Sequence, residues 1–590
     1  MKRIASSPAV QLLLFLLAFA GLACAMTWPL SAAMGNHVLK AKYYWDAYTN
    51  TMIMASRVRN ALGEGPGGVF DNYFFAPVSN TMALNENLYT LSVLFAPAYL
   101  ITDNPLLAYN IVLLISLTLS AFFTFLLVRR LSGSALAGIV SGAAFAFCPY
   151  VFFEIGRIQL VATQWLPLCL LFLHRAFQSG RFRDILGLAL VYVLQVGTCL
   201  YYAMFFVPVL AFAGCWLVWQ RRRFAPRFWM QVAVAGLLAS VLILAISYPY
   251  FSMRKNFSLT RSEQNAQRHD GELSFLLNVS PTNHSLPFLH HVPTKKGPYE
   301  QIAFPGFTIG VLALIAFLAP LGRALRQKPG GEQRESVFLF LGVATTAFFA
   351  AVGAATVFLT IGASIVAVGC FVIFWKRRAP ATTLFPSDLA LYLSLFLLAL
   401  LMFLGMELFT VDGQPVRGLY YYLHSWVPGF DGIRKVSRQA IVIMLVAAVL
   451  SGYGAALLLR SIKLPRIRLP AILLLTGLVV LEFRNAPVDL VRVPSGRDVP
   501  DVYRWIAHQP GKAPIAVIPT NDGLSVFHSY TGMAIHNYFA LYHGRRMLNG
   551  KSSWVPPVNK YFVDEMNRFP RASGTRLLQA LGVKYLVVHG

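Results

Sequence analysis

Apolar runs long enough to cross a bilayer recur from Val10 to Phe483, and the polar segments between them are of two alternating kinds. One kind is short and basic: Lys2-Arg3, Arg129-Arg130, Arg181-Phe-Arg183, Arg221-Arg222-Arg223, Arg323 to Arg334, Lys376-Arg377-Arg378 and Arg460 to Arg468. The other is longer, mixed in charge and rich in Asp, Glu, His, Tyr and Trp. Lys and Arg close to span ends resist translocation, so the basic loops are expected on the cytoplasmic side and the mixed loops on the outer side. This sorting puts Asp46, Glu86, the His-rich loop before Phe304, Arg434 and the C-terminal tail on one outer face, where any chemistry is expected.

The composition agrees with a polytopic α-helical membrane protein. A mean hydropathy of +0.58, with 57% hydrophobic and 13% charged residues, is too apolar for a soluble chain of 590 residues. The net charge of +26 lies largely in the short basic loops, where topology and anionic lipid account for it. No nucleic-acid partner is therefore expected. All six cysteines lie within or beside apolar runs, which argues against a disulfide framework or a thiolate metal site.

Read in order, the runs predict about thirteen spans. They are Val10–Leu30, Leu107–Val128, Ala135–Phe153, Ile158–Phe177, Ile185–Leu200, Tyr201–Trp219, Met230–Phe251, Phe304–Leu321, Val337–Leu359, Ile361–Trp375, Leu389–Phe409, Ile441–Leu459 and Ala471–Phe483. The first has a cleavage-like Ala23-Cys24-Ala25, but it continues through Leu30, beyond what a signal peptide needs, and is read as a span. Residues 1–485 then form a transmembrane domain with a first outer loop at 37–106 and a second long one at 252–303. Within the first, Met52 to Leu62 has amphipathic helical spacing, and Leu88 to Ile101 is short for a span, so the loop is expected on the membrane surface. Residues 486–590 predict a small extracytoplasmic α/β domain: a helix Asp501–Ala507, a strand Ala513–Pro519, a turn at Asn521-Asp-Gly523, a helix Gly574–Leu581 and a strand Val583–Val588. Its Asn549-Gly550-Lys-Ser-Ser553 lacks the glycine spacing of a P-loop. His528, His536 and His543 are expected to face solvent or the membrane surface rather than hold a metal.

Asp46, flanked by aromatics in Lys42-Tyr-Tyr-Trp-Asp46, and Glu86 are the candidate acids of the first outer loop. A carboxylate partly desolvated at the interface stays basic enough to accept a proton. Arg434, Lys435 and Arg438, at the outer mouth of the span beginning at Ile441, are the candidate cations. Arg pairs bidentately with phosphate, which favours Arg434 and Arg438 over Lys435. The loop at 252–303 holds His269 and Glu300, candidates for acceptor or headgroup contact; its four histidines match no zinc signature.

A single amino-terminal span, an outer loop with Trp45-Asp46 near its start and a further acid near its end, and then a multispan bundle resemble the GT-C superfamily of integral-membrane glycosyltransferases, including bacterial proteins called YfhO-like. Phe-Cys-Pro149-Tyr150, Gln164-Trp-Leu-Pro167-Leu, Phe304-Pro-Gly306 after Glu300, Val427-Pro-Gly-Phe-Asp-Gly-Ile-Arg434, Asn549-Gly550 and Leu581-Gly-Val-Lys-Tyr-Leu-Val-Val588-His589 agree with such proteins in order and placement. The resemblance implies sugar transfer from a polyprenyl-phosphate-linked donor to a glycan or lipid acceptor of the cell envelope. It places the chain in the plasma (inner) membrane, with a cytoplasmic N-terminus and a periplasmic or extracellular C-terminal domain. In the family the first-loop acid is a general base or helps hold a divalent metal. Carried over, that acid is Asp46, with Glu86 second; both are the ligands if Mg2+ or Mn2+ is used. Trp45 and Arg157 are the accompanying substrate contacts, Arg157 standing where many relatives have His. The alternative implied by the same scaffold is a non-catalytic protein assisting envelope-polymer or lipid assembly or transport. A transporter is disfavoured because no internal repeat is seen, and a protease because neither Gly-x-Ser-x-Gly nor His-Glu-x-x-His occurs.

Overall fold

The computed structural model describes residues 7–221, 224–257, 262–290, 292–293, 302–326, 387–411, 414–518 and 526–589. Seven helices among them are long and apolar enough to cross a membrane: Pro8–Met26, Pro105–Ser132, Ala135–Phe153, Ile158–Ser179, Leu200–Arg221, Pro226–Lys255 and Val436–Ser461. Tyr89–Thr102, Phe307–Pro320 and Ser387–Phe403 are shorter apolar helices. The architecture is that of an integral membrane protein. Leu13, Leu14 and Leu17 on the first helix and Leu237, Val241 and Leu244 on the sixth are more than 40% exposed, as lipid-facing residues would be. The expected spans at 337–359 and 361–375, Glu300 and the turn at 521–523 lie outside the described residues.

Local chemistry sets the helix ends. Asn104 accepts a hydrogen bond from the Leu107 N–H at the start of Pro105–Ser132, and Gly133 at φ +70° stops it. The stretch expected as a span to Phe409 ends as a helix at Phe403 instead. Gly405 turns the chain at φ +85°, the Asp270 carboxylate accepts from the Met406 N–H at 3.0 Å, and an antiparallel hairpin of Glu407–Val411 with Gln414–Arg417 follows.

Contacts sort the loops by end. Arg460 donates to the Ser132 carbonyl at 2.8 Å and Arg130 to the Gln178 side chain, so the basic turns after Arg130, Gln178 and Arg460 share one end of the bundle. At the opposite end the Thr90 N–H donates to the Gly197 carbonyl, Ser437 to His269, and His284 to Arg484.

The first outer loop is covered by the C-terminal segment. Helix Asp46–Ala61 is buried from Ala47 through Val58, with the C-terminal helix Val526–His543 packed on it; Tyr48 meets Tyr538 at 6.5 Å between ring centroids, and Arg59 donates to the Leu541 carbonyl at 2.6 Å. Amphipathic spacing identified the helix, but its polar face is covered by a partner from the far end of the chain. His37–Leu39 pairs antiparallel with Leu490–Arg492, and Ile515–Ile518 pairs parallel with Tyr585–Val588. Residues 486–590 share a core with the rest: Tyr503, Ile515 and Tyr538 belong to the same buried cluster as Tyr48 and Phe95, with a smaller satellite around Phe562 and Leu578. Of the three histidines expected at the surface, His543 is buried and His536 part-buried, while the side chain of His528 lies outside the described residues. His543 is 3% exposed, and the Tyr503 hydroxyl lies 2.8 Å from His536 Nδ1 and 2.9 Å from His589 Nε2. Burial pushes both His536 and His543 down to about 3, so they are neutral at physiological pH.

Candidate active site

Asp46 is the first residue of the buried helix, and three aromatic residues precede it. Tyr43 and Tyr44 pack edge-on against Trp45, itself 6% exposed. Gly156 lies directly against this turn. A Cβ there would be 2.7 Å from the Tyr43 carbonyl oxygen, so only glycine lets the two loops approach this closely. The approach delivers the next residue, Arg157, beneath Tyr43 with its guanidinium 3.4 Å from the ring centroid. Arg157 Nε donates to Asp46 Oδ2 at 2.9 Å and Nη1 donates to Glu154 Oε2 at 2.9 Å, so one planar cation bridges two carboxylates. On its other oxygen Asp46 accepts from Lys551 Nζ at 2.7 Å, and that ammonium also lies 5.4 Å from the Trp45 ring. Lys435 Nζ stands 5.7 Å from the Tyr43 ring.

Three cations from distant parts of the chain thus gather around two carboxylates at the end of the bundle opposite the basic turns. Side-chain exposure falls from 24% at Asp46 through 14% at Lys551 and 8% at Arg157 to none at Glu154, so water reaches Asp46 while the bridge behind it is dry. Burial pushes the Asp46 carboxyl up, but the charges and hydrogen bonds of Lys551 and Arg157 outweigh it and hold the group below its ordinary value. Burial, aided by Arg157, pushes Lys551 down, and Asp46 only partly restores it. In this state Asp46 is a weak base. A polyanion that drew Lys551 and Arg157 away would make it a stronger one.

Of the other expected site residues, Glu86 and Arg438 form a second cluster. Glu86 accepts from the Leu200 N–H at 2.9 Å, satisfying the start of helix Leu200–Arg221; burial raises its pKa against that bond and the charge of Arg438. Arg438, 8% exposed, lies 4.9 Å from the Tyr201 ring. Arg434 has a buried Nε without a hydrogen-bond partner, and no hydrogen bond or ion pair joins it to Asp46. His269 bonds through Nδ1 to the Asn265 carbonyl, while its own carbonyl accepts from the Ser437 N–H. The structure brings together Asp46, Trp45, Arg157 and, across Tyr43, Lys435; it does not join Asp46 to Glu86. Two members escaped the sequence reading. Glu154 had a local signal, an acid three residues before Arg157 at a span end. Lys551, 505 residues from Asp46, had none.

No group of three or more His, Cys, Asp or Glu suited to a metal occurs among the described residues. Each Asp46 oxygen carries a cationic N–H donor, so this donor set does not fit a divalent ion.

A family model described as "Domain of unknown function (DUF6311)" matches residues 66–374, more than half of the sequence. The chain belongs to the DUF6311 family. The matched stretch holds Glu86, Glu154 and Arg157 but not Asp46, Lys435 or Lys551, so the DUF6311 region supplies only part of the cluster. No curated protein matches the DUF6311 chain. Among solved structures it is similar to the apo form of an Archaeoglobus fulgidus oligosaccharyltransferase, at a TM-score of 0.42 and 13% identity over 99% of this chain and 70% of that one. It is also similar to the archaeal oligosaccharyltransferase AglB from Archaeoglobus fulgidus in complex with an inhibitory peptide and a dolichol-phosphate, at 0.40 and 13% over 98% and 69%. A third is apo ArnT from Cupriavidus metallidurans, at 0.34 and 15% over 97% and 95%. At these scores the likeness transfers no site or activity to the DUF6311 chain.

Proposed function

We propose that the chain is a GT-C-like membrane glycosyltransferase that moves a sugar from a polyprenyl-phosphate-linked donor to an envelope acceptor at the outer face, with Asp46 as general base. The observation that carries this reading is the Asp46 carboxylate held between Lys551 and Arg157, part-exposed, beside Lys435 and two aromatic rings. The donor phosphate competes with Asp46 for Lys551 and Arg157. As the cations turn to phosphate, Asp46 loses the charges that depress its pKa and accepts the proton of the acceptor hydroxyl. The acceptor oxygen bonds to the anomeric carbon, the carbon–oxygen bond to phosphate breaks, and the cations meet the negative charge left on the phosphate.

Asp46→Asn keeps the size of the side chain and removes the base. Sugar transfer from a synthetic polyprenyl-phosphate sugar in membranes is expected to fall by about 10²-fold or more, the usual worth of a positioned base; transfer at the parent rate would remove Asp46 from this role. The saturation of both Asp46 oxygens also suits a second reading, a non-catalytic scaffold whose charges only tie loops together. That reading predicts no transfer by the parent and loss of thermal stability in the variant.

A further inference from the structure

Eleven residues along the helix from Asp46, and about 16 Å away at 1.5 Å per residue, Arg57 is 8% exposed and lies outside the cluster described above. Its guanidinium lies 3.6 Å from the Tyr89 ring centroid, its Nε is buried without a hydrogen-bond partner, and among the described residues no carboxylate forms an ion pair with it. The neighbouring carboxylate, Glu86, is engaged by the Leu200 N–H and by Arg438. Two further groups beside it are unsatisfied. Asn85 uses its carbonyl oxygen to accept from Tyr250 at 2.6 Å and its amide oxygen to accept from the Ser553 N–H at 3.0 Å, which leaves its buried Nδ2 without an acceptor. The Tyr89 hydroxyl is buried against the Arg57 guanidinium, and its own proton meets no acceptor. Tyr250 ties these together, since it bonds Asn85 and interacts electrostatically with both Arg57 and Tyr89.

A buried cation without a counter-ion is costly, and so are buried N–H groups without acceptors. Here both occur at one place, and every unsatisfied group can donate. The ligand that answers all of them carries negative charge and several acceptor oxygens and needs no donor of its own, which describes a phosphoryl group. We propose that Arg57, Asn85 and Tyr89 form a phosphoryl-binding site, taking the phosphate of a lipid headgroup or of a soluble phosphate compound. The site is separate from the Asp46 cluster and stands whether or not that cluster transfers sugar. It adjoins the loop at Ser552 and Ser553, next to Lys551, so an occupant there braces the segment that carries Lys551 to Asp46.

The test uses the full-length protein. Thermal unfolding is followed in neutral detergent against inorganic phosphate, with chloride at matched ionic strength as control, and in phosphatidylcholine nanodiscs with and without phosphatidylglycerol. A soluble-phosphate site raises Tm in the first arm, and a headgroup site raises it only in the second. Arg57→Gln is expected to weaken the response by about tenfold or more in apparent affinity. Phosphate drawn to Lys551 and Arg157 instead gives a response that Asp46→Asn alters and Arg57→Gln leaves intact, so failure of this site and failure of the transfer reading are distinguishable. Should Arg57→Gln not fold, Asn85→Ala, at a partly exposed residue, is read in its place. Absence of any response in the parent protein, or an undiminished response in the variant read, overturns the proposal.

Discussion

Asp46 takes its properties from Lys551 and Arg157 rather than from its own helix. A hydrogen bond between charged groups is worth about 1.5–3 kcal/mol, and Lys551 is largely buried. Lys551→Ala is therefore expected to cost about 2 kcal/mol and to lower Tm in detergent, while Lys551→Arg recovers most of the loss. The pH dependence follows from the depressed Asp46 pKa. A carboxylate whose folded value lies below its unfolded one contributes stability that is fully present above the unfolded value and is lost as pH falls through the folded value. With an ordinary value of 3.8, Asp46 adds nothing to the pH dependence at neutrality and weakens the fold on acidification below that value. Tm measured from pH 7 to pH 3 is expected to fall more steeply at the acid end in the parent than in Asp46→Asn.

At the scale of elements, the turn Glu154-Ile-Gly-Arg157 is the part most sensitive to a single methyl group. A Cβ on Gly156 would meet the Tyr43 carbonyl oxygen at 2.7 Å, a backbone atom that cannot swing aside. Gly156→Ala is expected to cost about 1–3 kcal/mol by overpacking and to lower transfer together with Tm, because Tyr43 and Arg157 shift with the turn. Many elements were legible from local chemistry. Asp501–Ala507 has the bounds read from its amphipathic pattern, and the strands at 515–518 and 585–588 fall inside the expected ones. The hairpin at Glu407 was not legible, because an apolar run continues through Phe409 while the turn depends on Asp270 from a distant loop. The burial of Asp46–Ala61 was hidden for the same reason. Its spacing shows a helix with two faces, and which of them meets protein depends on the covering partner.

For the whole molecule, residues 486–590 and the first outer loop form one packed unit, joined by the His37–Leu39 pairing with Leu490–Arg492 and by the Tyr48–Tyr538 contact. A chain truncated after residue 485 uncovers the Asp46 helix and loses Lys551. It is expected to reach the membrane yet show rapid protease cleavage in the 37–106 loop and no transfer, measured by limited proteolysis of right-side-out membranes; an intact loop would show that the two segments fold independently.

The sequence by itself determined the apolar helices, the grouping of basic turns at one end and the placement of Asp46, Arg157 and Lys435 at the other. Those features follow from hydropathy and from side-chain charge near span ends, which are properties of neighbouring residues. Only the tertiary structure decided that Arg157 and Lys551, 111 and 505 residues from Asp46, share its carboxylate, and that Glu86 does not. Coulombic pairing depends on distance and on how much water is excluded, and neither is set until the loops have packed.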